Sequence, residues 1–169
     1  MTQPHNAVSV SDICADLSQV LLLQKLSICT AESCTGGMIS TACTDLAGSS
    51  VWFERGFVTY SNAAKTDMLG VPASLIETHG AVSEEVARAM AQGALTHSLA
   101  DWSVAVTGVA GPSGGSAAKP VGTVWLAWAC KSTGMVESQR QVFAGDRRSV
   151  RESTTALALS HLAKLLQPT

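Results

Sequence analysis

Apolar residues recur at helical spacing near the start of the chain and again after residue 37. The first set comprises Val10, Ile13, Leu17, Val20 and Leu21. The second set comprises Met38, Ile39, Ala42, Cys43 and Leu46. Spacings of three and four residues place each set on one face of a helix. Ser9 and Ser11 are alternative N-caps of the first helix, and Gly48 is placed to end the second.

Five other segments have the β-branched, aromatic or continuously apolar character of strands. The segments are "LSICT" (26–30), "VWFERGFVTY" (51–60), "WSVAVT" (102–107), "VGTVWLAWAC" (121–130) and "MVESQRQVF" (135–143). The second of these is long enough to be one strand or a hairpin.

Residues typical of helix N-caps and helix C-termini occur in the segments between these strands. Asn62 is a candidate N-cap of a short helix that Gly70 ends, and a second helix fits between Pro72 and Gly80. Ser83 begins a longer helix to about residue 97, and Asp146 caps a final one over 146–166. Alternating strands and helices predict a layered α/β fold, with a mixed sheet because the last strands follow one another without a helix between them.

Composition favours one compact domain without nucleic-acid or membrane partners. The 169 residues are 46% apolar and 14% charged, and a net charge of −2 creates no field that attracts nucleic acid or an acidic membrane. The apolar run "VLLL" is too short to span a bilayer, and no basic segment precedes it, so we expect a cytoplasmic protein. Five cysteines without C-x-x-C spacing argue against a disulfide framework and a zinc site.

Three junctions between a strand and the next segment contain the informative polar residues. They are "TAESCTGG" (30–37), "TYSNAAK" (59–65) and "TGVAGPSGGS" (107–116). The carboxyl ends of strands in an open α/β sheet line its ligand crevice. The glycines of the third junction match neither G-x-G-x-x-G nor the P-loop pattern. That loop either presents backbone N–H groups to a phosphate or carboxylate, or is an ordinary wide turn.

Ser33 in the first junction is a candidate nucleophile. A serine at a strand-to-helix turn can project its hydroxyl into the crevice, as in a nucleophile elbow. The N–H groups of Thr35, Gly36 and Gly37 would then hold the oxyanion of the reaction. The alternative is that Ser33 only caps the following helix.

Cys34 is the rival nucleophile, because the N-terminus of a helix lowers the pKa of a thiol. A cysteine hydrolase usually needs a histidine partner, and His79 and His97 both lie on predicted surface helices. Packing is therefore the expected role of Cys34.

Lys65 in the second junction is the candidate base for Ser33. Its position in the first turn of a helix, among alanines, disfavours the ammonium form and lowers its pKa. Tyr60 at the preceding strand end would relay the proton or orient the amine. The alternative is an ordinary surface lysine.

The blocks "TAESCTGG", "GSSVWFERGFVTYSNAAK", "HGAVSE", "VTGVAGPSGG", "KPVGTVW" and "GDRRSVR" together resemble the CinA C-terminal domain family. The resemblance runs from about Asp12 to Leu166 and is typical of the single-domain form, so we expect one domain over 1–169. It implies a three-layer α/β fold that hydrolyses the carboxamide of nicotinamide mononucleotide to nicotinic acid mononucleotide and ammonia, without a cofactor or metal.

The same resemblance assigns roles to individual residues. It makes Ser33 and Lys65 the catalytic pair, with Tyr60 beside them. Thr107 and Arg147 are similar to substrate-site residues of the family. The glycine loop that contains Gly108, Gly111 and Gly114 adds candidate substrate contacts, and Arg147 with the first turn of the last helix is the expected phosphate site.

Two hypotheses remain open at this level. The first is the serine amidase, and the second is a nucleotide-binding or regulatory module of the same fold that has no turnover. A homodimer is the expected assembly. The biological role is either pyridine nucleotide salvage or removal of a by-product that inhibits DNA ligation.

Overall fold

The computed structural model describes residues 8–167, so the predicted domain limits at residues 1 and 169 lie outside the described residues. The helices are α1 (Val10–Gln24), α2 (Met38–Thr44), α3 (Asn62–Leu69), α4 (Ala73–His79), α5 (Glu84–Thr96) and α6 (Arg147–Leu165). The strands are β1 (Ile28–Glu32), β2 (Phe53–Val58), β3 (Trp102–Gly108), β4 (Thr123–Cys130) and β5 (Val136–Val142). A single 3₁₀ turn, Ser49–Val51, precedes β2.

The five strands form one mixed sheet in the order β2-β1-β3-β4-β5. Strand β1 lies in the middle of the parallel part and pairs with both β2 and β3. Strands β4 and β5 are added antiparallel, because each follows its neighbour through a connection that contains no helix. The predicted mixed α/β sheet is confirmed.

Helices cover both faces of the sheet and bury two apolar clusters. One cluster packs α1, α2 and α6 against residues such as Val104 and Trp128. The other packs α3, α4 and α5 against the opposite face, which contributes small residues such as Ala105 and Ala127. The predicted three-layer α/β/α arrangement is therefore confirmed.

The structure contradicts one local prediction and decides two alternatives that the sequence left open. Ser9 rather than Ser11 caps α1, since its side chain accepts from the N–H of Asp12. Asn62 as an N-cap is wrong, because Ser61 has the extended backbone of a cap and accepts from the N–H of Ala64. The segment 51–60 forms a strand and not a hairpin, because β2 pairs in parallel with β1, its one neighbour in the sheet of the described residues.

Gly93 in α5 allows that helix to pack directly on the backbone at the end of α3. A Cβ at this position would overlap the carbonyl oxygen of Leu69. The close approach fixes α3 against the sheet, and α3 is the helix that positions Lys65.

None of the helices within residues 8–167 is long and apolar enough to cross a membrane.

Candidate active site

A cavity of about 250 Å³ opens at the carboxyl ends of β1, β2 and β3. Six of the residues predicted from the sequence line it: Ser33, Tyr60, Lys65, Thr107, Gly108 and Arg147. The other five, Thr35, Gly36, Gly37, Gly111 and Gly114, are not among its lining residues. Further residues in the lining are Cys34, Asn62, Ala81, Val82 and Ala110.

Ser33 and Lys65 meet at the centre of this cavity wall. Ser33 follows the end of β1, and its N–H still bonds to the carbonyl oxygen of Val106 in β3 at 3.1 Å. Lys65 projects from α3 and is 1% exposed. Its Nζ lies 3.0 Å from Ser33 Oγ, 2.9 Å from the carbonyl oxygen of Thr59 and 3.3 Å from that of Tyr60.

These contacts suit a neutral amine at Lys65. Burial lowers the pKa of the Lys65 ammonium, because the charged form loses its hydration. A neutral amine has two N–H groups, which the carbonyls of Thr59 and Tyr60 accept, and one lone pair, which can face the hydroxyl of Ser33. The arrangement therefore allows Lys65 to receive the proton of Ser33.

The thiol of Cys34 has the opposite character. Burial raises its pKa to about 11, so the thiol is protonated at neutral pH. A protonated thiol is a poor nucleophile, and the geometry accordingly favours Ser33 over its neighbour.

Glu32 is a buried carboxylate that the sequence analysis missed. Its Oε2 accepts from Thr35 Oγ1 at 2.6 Å and from the N–H groups of Gly37 and Ile39 at 3.1 and 3.0 Å. Its Oε1 accepts from the N–H and hydroxyl of Ser40 at 2.8 and 2.7 Å. A glutamate at the end of a buried strand, directly before a helix start, is the signal that could have found it.

Glu32 changes the predicted oxyanion site. The N–H of Gly37 is bonded to Glu32, and the N–H of Gly36 is bonded to the carbonyl oxygen of Ser33 at 3.1 Å. Those two amides are therefore not free to bind a substrate oxygen. Among residues 8–167, the N–H groups of Cys34 and Thr35 have no hydrogen-bond acceptor, so they are the donors that remain in this turn.

Tyr60 connects the two ends of the cavity. Its carbonyl oxygen accepts from Lys65, whereas its hydroxyl accepts from Nη2 of Arg147 at 3.1 Å. The contact with Lys65 thus comes from the backbone of Tyr60 and not from its phenol. The ring is 62% exposed and forms one side of the opening.

Arg147 begins α6 at the far end of the cavity. Its Nη1 donates to the carbonyl oxygen of Gly111 at 2.7 Å, which ties the glycine loop to the helix. Asp146 accepts instead from the N–H and hydroxyl of Ser149, both at 2.8 Å. No ion pair within the described part of the chain includes Arg147, so its guanidinium is not neutralised by a carboxylate.

The remaining wall is formed by the end of β3 and the turn before α5. Thr107 is buried, and its hydroxyl donates to the carbonyl oxygen of Ala81 at 2.9 Å. A Cβ at Gly108 would overlap Val124 and the carbonyl oxygen of Thr123. Asn62 also faces the cavity, and its side chain is not needed as a helix cap because Ser61 fills that role.

The fold and this site define an α/β protein that places a serine–lysine pair at the strand ends of a mixed sheet. The chain belongs to the CinA C-terminal domain family, whose model matches residues 10–166.

Several relatives match most of the chain. A nicotinamide-nucleotide amidohydrolase PncC of Escherichia coli strain K12 is 52% identical over 146 residues, which cover 86% of this chain and 88% of the relative. A protein of the same name in Pseudomonas putida is 53% identical over 156 residues, or 92% and 96% of the two chains. The crystal structure of the competence/damage inducible protein CihA from Agrobacterium tumefaciens is 44% identical, covers 99% of this chain and 100% of that chain, and has a TM-score of 0.91.

Proposed function

We propose that the protein is a nicotinamide-nucleotide amidohydrolase that uses Ser33 and Lys65. Its reaction converts nicotinamide mononucleotide and water to nicotinic acid mononucleotide and ammonia. The observation that carries the proposal is the 3.0 Å contact between the buried Lys65 amine and the Ser33 hydroxyl in a cavity large enough for part of a nucleotide. The activity in the names of the relatives from Escherichia coli and Pseudomonas putida supports the choice of substrate.

The first half of the reaction forms an acyl-enzyme. The Ser33 oxygen attacks the carboxamide carbon while neutral Lys65 accepts the hydroxyl proton. The electron pair of the carbonyl moves to its oxygen, and we place that oxyanion at the N–H groups of Cys34 and Thr35. The Lys65 ammonium then gives its proton to the amide nitrogen, and the carbon–nitrogen bond breaks to release ammonia.

The second half of the reaction repeats these roles with water. Lys65 is neutral again once ammonia has left, so it can accept a proton from water that attacks the acyl carbon. Collapse of the second oxyanion breaks the bond to Ser33 Oγ, which takes the proton back from Lys65. The products are the resting enzyme and the carboxylic acid, which loses its proton to the ammonia or to solvent and leaves as the carboxylate.

Arg147 orients the substrate in the cavity. Its guanidinium, which no carboxylate neutralises, suits the phosphate of the mononucleotide. Tyr60 lies between this end and Lys65, so the carboxamide and the phosphate would occupy opposite ends of the tyrosine side chain. We further assign substrate contacts to Thr107 and Gly108, which line the cavity.

The wider setting of the enzyme is part of the same proposal. We place it in pyridine nucleotide salvage in the cytoplasm, a compartment in which its five free cysteines stay reduced. We propose a homodimer that acts on a small molecule and does not bind nucleic acid, in keeping with the net charge of −2.

Release of ammonia from nicotinamide mononucleotide tests the proposal. Purified protein should produce ammonia and nicotinic acid mononucleotide in equal amounts, and Ser33→Ala should produce neither. Absence of turnover by the folded wild-type protein, together with binding of the mononucleotide in calorimetry, would instead support the silent nucleotide-binding module.

A further inference from the structure

Most of the backbone polar groups in the turn between β1 and α2 are held in hydrogen bonds. Its carbonyl groups at Cys34 and Thr35 accept from Arg151, whose Nε lies 3.1 Å from the first oxygen and whose Nη2 lies 2.9 Å from the second. The consecutive N–H groups of the same two residues have no acceptor among the residues that the structure describes. Buried backbone groups are normally paired, so two adjacent unpaired donors next to a nucleophile point to a bound oxygen atom.

Arg151 lies in the second turn of α6, on the other side of the turn from Lys65. Helix α6 packs on one face of the sheet with α1 and α2, whereas α3 with Lys65 packs on the opposite face. The guanidinium therefore approaches the turn from the face that does not carry the proposed base.

Peptide geometry links this approach to the direction of the free amide. The peptide between Cys34 and Thr35 is trans, so its N–H and its C=O point to opposite sides. Because Arg151 holds the Cys34 carbonyl toward α6, the Thr35 N–H is directed away from α6. That is the side on which α3 contributes Asn62 and Lys65 to the cavity.

We propose that Arg151 is a positioning residue that, through the Cys34 carbonyl, orients the Thr35 N–H of the same peptide to bind the oxyanion formed on the Ser33 adduct. The inference rests on the proposed amidohydrolase function and adds a residue to it. Arg151 does not line the cavity, so its effect passes through the backbone. The positive charge of the guanidinium beside the Cys34 carbonyl also polarises that peptide and strengthens its donor, the Thr35 N–H.

A positioning role predicts a kinetic effect that differs from the effect of losing a substrate contact or of losing stability. An oxyanion contact forms only as the carbonyl becomes tetrahedral, so Arg151→Ala should lower kcat and leave KM nearly unchanged. Loss of one oxyanion donor typically costs roughly 10²–10³ in kcat, and we expect a loss toward the lower end, about 100-fold, because the donors remain present but less well oriented.

Steady-state kinetics with nicotinamide mononucleotide provide the test, with Arg148→Ala as the matched control. Arg148 lies three residues earlier in the same helix, where it pairs with Glu152 at 2.7 Å, and its variant should keep wild-type kcat. Arg151→Lys can reach one carbonyl at most, so its kcat should lie between those of wild type and Arg151→Ala. Guanidinium chloride far below denaturing concentration should raise kcat of Arg151→Ala, whereas sodium chloride at equal ionic strength should not.

Three results would overturn the assignment. A rise in KM at constant kcat would make Arg151 a substrate contact. Unchanged kcat in Arg151→Ala would remove it from the mechanism. If guanidinium does not raise the kcat of folded Arg151→Ala, Arg151 contributes to stability and does not position the amide. If Arg151→Ala does not fold, Arg151→Lys alone tests the proposal. A positioning role then predicts that Arg151→Lys has a lower kcat than wild type, with an unchanged KM and an unchanged melting temperature.

A spectroscopic measurement separates this inference from the proposed function. Pyridine-3-boronic acid can add to a serine oxygen and place a boron-bound oxygen where the oxyanion would form. In wild-type protein the amide protons of Cys34 and Thr35 should shift downfield on titration, and the shift of the Thr35 proton should be smaller in Arg151→Ala. If the wild type hydrolyses no mononucleotide, the proposed function fails on its own. Unshifted amides in a protein that carries the serine adduct would overturn the role of Arg151 regardless of turnover.

Discussion

Helices α2 and α6 both begin at the edge of the cavity, and each follows an acidic residue in the sequence. At α2 the acid is Glu32, which is fully buried and accepts five hydrogen bonds from the turn and the first residues of the helix. At α6 the acid is Asp146, which is exposed and accepts from the N–H and hydroxyl of Ser149. The first carboxylate occupies the positive end of its helix, whereas the second leaves Arg147 free to meet an anion.

The difference shows that the N–H donors at a helix start can serve either an internal carboxylate or an external ligand. At α2 an internal carboxylate uses the helix donors, so the turn before the helix becomes a rigid support for Ser33. At α6 the helix start remains at the surface with an unneutralised guanidinium. We therefore expect substitutions near α2 to affect the chemical step and substitutions near α6 to affect recognition of the substrate.

The largest effect should come from Ser33 in the α2 turn. Ser33→Ala removes the nucleophile, so turnover should fall by roughly 10³-fold or more, while Cys34→Ala should cost little because its thiol stays protonated. Ammonia release and circular dichroism measured on both variants would test this. The reverse ranking would transfer the nucleophile to Cys34.

A nearly equal loss is expected for Lys65→Arg. Arginine keeps a positive charge but does not act as a base, so the variant should be nearly inactive. In the proposed mechanism only neutral Lys65 accepts the proton, so kcat/KM should rise with pH through a pKa that burial places below the ordinary lysine value. A pH series of initial rates measures this. Substantial activity of Lys65→Arg would remove the lysine from the mechanism.

Glu32→Gln should affect the α2 turn without touching the substrate. Both carboxylate oxygens accept from backbone N–H groups, so in either orientation the glutamine amide places an NH₂ group against another donor. We expect roughly 1–3 kcal/mol of lost stability and about a tenfold lower kcat at unchanged KM. Denaturant unfolding and steady-state kinetics measure both. Wild-type kcat in the folded variant would show that the turn does not need its carboxylate.

Arg147→Ala should produce a smaller and selective loss at the start of α6. A charge-assisted phosphate contact is worth roughly 1.5–3 kcal/mol, so kcat/KM for nicotinamide mononucleotide should fall by more than about tenfold. Any slow hydrolysis of nicotinamide riboside, which lacks the phosphate, should change little. Equal losses on the two substrates would assign Arg147 to the fold or the chemistry.

The smallest effect is expected for Asp146→Ala, which removes the cap of α6. Hydrogen bonds from Ser149 lower the pKa of the Asp146 carboxyl, so its stabilising effect is complete at neutral pH and is lost as pH falls through that lowered pKa. The melting temperature should drop slightly at neutral pH, and the gap from wild type should close in acid. Activity should stay close to wild type, whereas a large loss of activity would bring Asp146 into the site.

The fold could be predicted from the sequence because its elements are marked locally. Gly70 and Gly80 end helices, Asp146 and Ser83 cap them, and the direct succession of the last strands fixes the mixed sheet. The segment 51–60 was ambiguous since its pairing with β1 is a long-range contact that no local pattern contains.

The candidate site was predictable only in part. Sequence and family resemblance pointed to Ser33, Lys65 and Arg147, but their catalytic roles remain predictions. Glu32 and Arg151 escaped notice because their importance depends on backbone groups brought to them by the fold. The assignment of Gly36 and Gly37 as oxyanion donors came from their position alone, which does not reveal that other acceptors already hold those amides.

Gly93 has a consequence for how this sequence can vary. It lies outside the cavity, yet the backbone of α5 at this position rests on Leu69, one turn of α3 beyond Lys65. Any side chain there must push the end of α3 away from α5, and we expect this shift to move the Lys65 amine relative to the hydroxyl of Ser33. A mutagenesis library aimed at altered substrates should therefore hold position 93 constant alongside the cavity's own reactive pair, and should concentrate its diversity at Asn62 and Val82.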